Sequence, residues 1–71
     1  MRYFGSYLAE MRREKGLSQR ALAKEIGVSQ PACQAWETGK AKPSLKNLFS
    51  LQEVLGLDLE HCAHLLNKDS Q

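Results

Sequence analysis

The stretch Leu17-Ser18-Gln19-Arg20-Ala21-Leu22-Ala23-Lys24-Glu25-Ile26-Gly27-Val28-Ser29-Gln30 decides the fold, because it carries two helix starts with one helix stop between them. Ser18 offers a side-chain oxygen to cap a helix through about Glu25, with Leu22 and Ile26 on its inner face and Gly27 as its stop. Ser29 caps the next helix. Pro31 falls in its first turn, where a missing backbone donor is tolerated, and Gly39 closes the segment after Thr38. A separation of only Ile26 to Ser29 is the spacing of a helix-turn-helix. Ala23 is small enough for the two helices to approach, and Val28 plugs the corner between them.

Outward from this unit the pattern stays helical. Phe4, Leu8, Met11 and the stem of Arg12 recur at helical spacing before Gly16, which predicts a first helix near residues 3 to 15, with Gly5 inside it as a mild cost. Pro43 and Ser44 open a fourth helix whose Leu45, Leu48, Phe49, Leu51, Val54 and Leu55 make a broad apolar face before Gly56. Asp58 caps a last helix with Leu59, Cys62, Leu65 and Leu66 inward, and residues 67 to 71 read as a frayed polar tail. Strand alternation, repeats and linkers are absent from the sequence, so residues 1 to 71 are expected to form one all-α domain of five short helices, with its core over about 3 to 66.

Composition narrows the function. A chain of 71 residues with 42% apolar and 25% charged residues suffices for one core and leaves little room for an elaborate active site. Apolar runs are too short to span a bilayer and the first residues lack a signal-peptide core, so a cytoplasmic protein is expected. Cys33 and Cys62 lie in apolar helical segments and read as reduced core residues. Before residue 48 the chain carries nine basic and four acidic residues, a net +5; after it, one basic against four acidic residues gives −3. Such asymmetry suits a polyanionic partner on one side, although a solvated mixed surface would also produce it.

On the third helix, Cys33 and Trp36, with Ala32 in part, must face the centre supplied by Leu22, Ile26 and Leu48. That turns Gln30, Pro31, Gln34, Ala35 and Thr38 outward. A glutamine amide both donates and accepts, as adenine N6 and N7 require, and an alanine methyl packs on thymine C5.

The quoted stretch, continued by Trp36-Glu37-Thr38-Gly39-Lys40, Pro43-Ser44, Leu48 and Leu55-Gly56, resembles the helix-turn-helix of the phage repressor and Cro-type (XRE-like) regulators over roughly residues 4 to 66. The resemblance implies a transcriptional regulator, a repressor by default, that reads the major groove of double-stranded DNA with its third helix. It makes Gln30 and Ala35 base-reading positions, with Gln34 beside them and Pro31 offering apolar contact. Gln19, at the start of the second helix, would brace Gln30 and meet a phosphate. Together with Gln19, the residues Arg20, Thr38, Lys40, Lys42, Ser44, Lys46 and Asn47 are expected along the sugar-phosphate backbone. Glu37 would pair with Arg12 to tie the first helix to the third. The third helix departs from the commonest pattern in holding no Lys or Arg from Gln30 to Glu37, so each half-site is expected to lean towards A·T, with part of the specificity carried by DNA shape.

Leu57, Leu59, Leu65 and Leu66 exceed what one small core plainly needs, which suggests a two-fold contact between subunits reading an inverted repeat; burial within one chain is the alternative. His61 and His64 share a helix face, but two ligands without a completing Cys or carboxylate motif do not make a zinc site. No nucleophile elbow, phosphate loop or HExxH motif appears, so the expectation is a non-enzyme without metal, cofactor, small-molecule ligand or membrane partner. A protein-binding module of the same fold, antitoxin-like or an oligomerisation partner, remains the rival. Gln19, Gln30, Lys40 and Lys42 together favour DNA over it.

Overall fold

The computed structural model describes residues 3 to 69, and among them the chain forms five α-helices: α1 (Phe4–Glu14), α2 (Gln19–Ile26), α3 (Gln30–Thr38), α4 (Leu45–Leu55) and α5 (Leu59–Asp69). Four of the starts are set by one side-chain oxygen each. Ser18 Oγ accepts from the Ala21 amide at 3.0 Å, Ser29 Oγ from Ala32 at 3.3 Å, Ser44 Oγ from Asn47 at 3.2 Å and Asp58 Oδ1 from His61 at 3.1 Å. Each satisfies one of the amides that a helix leaves unpaired in its first turn. At Gly27 the chain leaves α2 with φ at 78°, a conformation that side chains resist, and the Val28 amide reaches back to the Ala23 carbonyl at 2.9 Å to turn the chain into α3.

The core is a single cluster. Phe4, Tyr7 and Leu8 from α1 meet Leu22 and Ala23 from α2, Cys33 and Trp36 from α3, Leu48, Leu51 and Leu55 from α4, and Leu57, Cys62 and Leu65 from the last loop and α5. Tyr7 also holds α5 to α1: its hydroxyl accepts from the Asp58 amide at 3.1 Å, and the His61 ring meets it edge-on with centroids 4.8 Å apart. No helix among the described residues is long and apolar enough to cross a membrane.

Three expectations change. The apolar face of α4 is narrower than its six hydrophobic residues suggest: Leu48, Leu51 and Leu55 are buried, while Leu45 is 67% and Phe49 48% exposed. A helix can press only one stripe onto its neighbours, and Phe49 lies about 100° around the axis from Leu48. The tail expected to fray from residue 67 instead continues α5 to Asp69; residues 70 and 71 lie outside the described residues. Part of the reason is that Lys42 Nζ donates to the Leu66 carbonyl at 3.1 Å, satisfying one of the carbonyls that a helix end leaves open. Finally, the surplus leucines pack inside their own chain: Leu57 and Leu65 are 3% and 4% exposed, and Leu59 and Leu66 lie half-buried against the same cluster. Five helices share one small core, and it consumes more leucine than a count of helix faces implies.

Candidate nucleic-acid interface

α2 and α3 place Gln19 and Gln30 at corresponding positions, each the first residue after a capping serine. The two side chains meet. Gln30 Nε2 donates to Gln19 Oε1 at 2.8 Å, and Gln19 Nε2 donates to Glu37 Oε1 at 3.0 Å. Glu37 lies near the end of α3, its side chain only 6% exposed, and is held from the other direction by Arg12 of α1. Arg12 Nε donates to Glu37 Oε2 at 2.7 Å, Nη2 to Oε1 at 3.1 Å and Nη1 to the Leu17 carbonyl at 2.8 Å. The hydrogen bond to Glu37 holds the Arg12 guanidinium above its ordinary pKa against the opposing pull of burial. Four side chains from three helices thus form one chain of hydrogen bonds that begins at a buried ion pair and ends at an amide on the N-terminal turn of α3.

The remaining α3 positions divide as helix geometry requires. Cys33 and Trp36 are buried and Ala32 is half-buried; Pro31, Gln34 and Thr38 are exposed, with Gln30 and Ala35 partly so. Burial pushes both thiols up: Cys33, on the inner face of α3, rises chiefly by desolvation, and Cys62 is pushed up to about 11. Neither is a thiolate at neutral pH.

The polar residues expected along a phosphate backbone do not all point freely outward. Arg20, Lys40 and Lys46 are exposed. Ser44 spends a lone pair capping α4 and keeps its O–H to donate, whereas the Thr38 hydroxyl already donates to the Gln34 carbonyl at 2.9 Å. Lys42 donates to the Leu66 carbonyl near the end of α5. Asn47, in the first turn of α4, is half-buried. In exchange there is Arg13, which sequence reasoning passed over. It is exposed and lines a shallow groove with Ser6, Glu10, Gln19 and Thr38. The signal was available in the pair Arg12-Arg13: adjacent residues on a helix point about 100° apart, so one arginine buried at α3 sends the next to the surface.

Among the described residues, no group of three or more His, Cys, Asp or Glu side chains is arranged to hold a metal ion, and His61 is engaged with Tyr7.

Comparison with known proteins identifies the family and the fold. A helix-turn-helix family model matches residues 8–61. An uncharacterised HTH-type transcriptional regulator of the SPbeta prophage in Bacillus subtilis, YonR, is 37% identical over 57 residues, which are 80% of this chain and 53% of that protein. Another uncharacterised HTH-type regulator, y4dJ of Sinorhizobium fredii, is 38% identical over 53 residues, 75% of this chain and 69% of that protein. The chain spans about half the length of the first two curated relatives it matches. Among solved structures, the P22 c2 repressor in complex with a synthetic operator superposes with a TM-score of 0.82 at 27% identity, covering 87% of this chain and 94% of that one.

Proposed function

The chain belongs to the helix-turn-helix family of transcriptional regulators, and on that premise we propose that it binds double-stranded DNA sequence-specifically, α3 lying in the major groove. The observation that carries the reading is the Gln19 and Gln30 pair: two amides joined at 2.8 Å on the first turns of α2 and α3, where a protein core needs neither. Gln30 keeps its carbonyl oxygen and a second N–H, the donor and acceptor that adenine N6 and N7 call for, while Ala35 and Gln34 lie one turn further along. Pro31 adds apolar contact. Gln19, with its second N–H and the positive end of α2, meets a phosphate. Arg20, Lys40, Lys46, Ser44 and Asn47 follow the strand, Arg13 extends that track across the groove, and Thr38 and Lys42 contribute only if they exchange their internal partners. Arg12 and Glu37 position this surface and stay off the DNA.

We further propose that two copies bind an inverted repeat with recognition helices about 34 Å apart. Leu57 and Leu65 are unavailable for that contact, so it falls to the half-exposed Leu59 and Leu66 and their neighbours. Repression by occluding polymerase is supported by the likeness to the P22 c2 repressor. The work would be done on the nucleoid, in the cytoplasm.

The test is site selection from a random duplex library, followed by fluorescence-anisotropy titration of wild type and Gln30→Ala on the selected site and on random DNA at two salt concentrations. Tighter binding to the selected site that Gln30→Ala abolishes, with the salt slope nearly intact, is the expected result. Failure to bind either DNA would overturn the reading and turn attention to a protein partner, to which the exposed Leu45 and Phe49 offer apolar surface.

A further inference from the structure

Glu37 does more than neutralise Arg12: we propose that its inward-turned carboxylate sets the polarity of the Gln30 amide and thereby makes this chain select adenine over guanine at the base Gln30 meets. The inference rests on the DNA-binding reading and deepens it. A carboxylate can only accept, so the Gln19 side chain must turn its Nε2 towards Glu37, as it does at 3.0 Å. Its Oε1 then faces the other way and can be satisfied only by a donor. Gln30 therefore turns its own Nε2 to Gln19, at 2.8 Å. This orientation follows from the chemistry of the acceptor, independently of how either amide is drawn. What remains on Gln30 is one carbonyl oxygen and one N–H, complementary to the donor N6 and the acceptor N7 of adenine.

Guanine presents two acceptors there, O6 and N7. To meet both, Gln30 would have to offer both its N–H groups and turn its oxygen to Gln19, which would then have to donate. Gln19 would have either to present its oxygen to Glu37, acceptor against acceptor, in a pocket where the carboxylate is 6% exposed, or to swing its second N–H from the phosphate to Gln30. An unmade hydrogen bond of that kind costs the desolvation of both groups. Reading guanine through this helix thus costs the chain either the hydrogen bond between Gln19 and Glu37 or the phosphate contact of Gln19. Arg12 enforces the same polarity from behind, because both Glu37 oxygens accept its N–H groups and the carboxylate cannot turn away.

Glu37 and Gln19 are on this account positioning residues for specificity, and the readout is a ratio rather than an affinity. On the selected site, Gln30→Ala first identifies the base pair at which discrimination is lost. Wild type should favour adenine over guanine there by on the order of tenfold or more. Glu37→Gln, which can donate to Gln19 and so permits the reverse polarity, should bring that ratio close to one while retaining the salt slope. Should Glu37→Gln fail to fold with Arg12 unpaired, Gln19→Met decides the matter, since it cuts the chain but leaves the Arg12 to Glu37 pair in place; it too should flatten the ratio. A folded variant that binds all sequences more weakly but keeps the wild-type ratio of adenine to guanine would overturn the proposal. A wild type whose preferences are untouched by Gln30→Ala would instead overturn the base-reading role of Gln30 itself.

Discussion

Replacing Gly5 by alanine should destabilise the domain, although helix propensity alone says the opposite. In the interior of an exposed helix, alanine is favoured over glycine by roughly 0.5–1 kcal/mol. Gly5, however, is buried where α1 crosses α3. A Cβ added there would fall on the Glu37 carbonyl oxygen, 2.7 Å from the carbonyl carbon and 2.8 Å from the Trp36 carbonyl oxygen. Carbon atoms in good contact stand about 3.5 Å or more apart, so the two helices would have to part by roughly 0.8 Å. Backbone is the obstacle, and no rotamer change relieves it. Overpacking costs about 1–3 kcal/mol, a backbone obstacle puts this case at about 2–3 kcal/mol, and subtracting most of the propensity gain leaves a loss of about 1–2 kcal/mol. For a domain of this size that lowers the melting temperature by roughly 4–16 °C. Thermal unfolding followed by circular dichroism and by Trp36 fluorescence measures it, with Ser6→Ala, one residue away and exposed, as the control expected to be neutral or slightly stabilising. A Gly5→Ala protein as stable as wild type, or more so, would refute the reasoning, and the α1 to α3 crossing would have to be looser than described.

Arg12→Met should cost about 3–5 kcal/mol, because it leaves the Glu37 carboxylate buried without its partner, and the double variant Arg12→Met with Glu37→Leu should recover most of that loss. Urea titration checks both, and an Arg12→Met protein of wild-type stability would mean that the pair is solvated. Alkaline destabilisation should follow Cys62. Its thiol is raised from 9.0 to about 11, so the neutral form is favoured in the fold, and its contribution is whole below pH 9 and lost as pH climbs through 11. At about 1.4 kcal/mol per pH unit, that is on the order of 3 kcal/mol. The pH dependence of stability between 9 and 11 should be measurably shallower in Cys62→Ala, and equal slopes in the two proteins would remove the thiol as the cause.

Features resting on neighbouring residues were legible from sequence, and those resting on distant ones were legible only in part. The Ser18, Ser29 and Ser44 caps each join a side chain to an amide three residues on, so the information needed to place them lies within one turn. Gly27 works through its own backbone angle and is equally local. Gly5 differs: its necessity is the close passage of a backbone more than thirty residues away, and on α1 alone it registers only as a weakness. The exposure of Phe49 and the burial of Leu57 depend in the same way on which face a neighbour happens to cover. At the candidate interface, the positions of Gln19 and Gln30 could be read from the motif, and the direction of their hydrogen bonds could not. That direction depends on Glu37, eighteen residues beyond Gln19, reaching back into the same pocket.

The Arg12 and Glu37 pair shows why a domain this small places charge inside itself. Desolvating two ions offsets much of their attraction, and apolar residues of similar volume commonly serve stability as well or better. Stability alone therefore gives weak grounds for the pair at the α1 to α3 contact. Its geometry gives a better one: Arg12 grips both carboxylate oxygens and the Leu17 carbonyl, which leaves Glu37 a single orientation from which to accept the Gln19 amide. Apolar replacements would fill the space but could impose no donor or acceptor direction on Gln19. An uncharged pocket can hold α1 and α3 together, whereas only an acceptor held rigidly in place can decide which edge of Gln30 is presented.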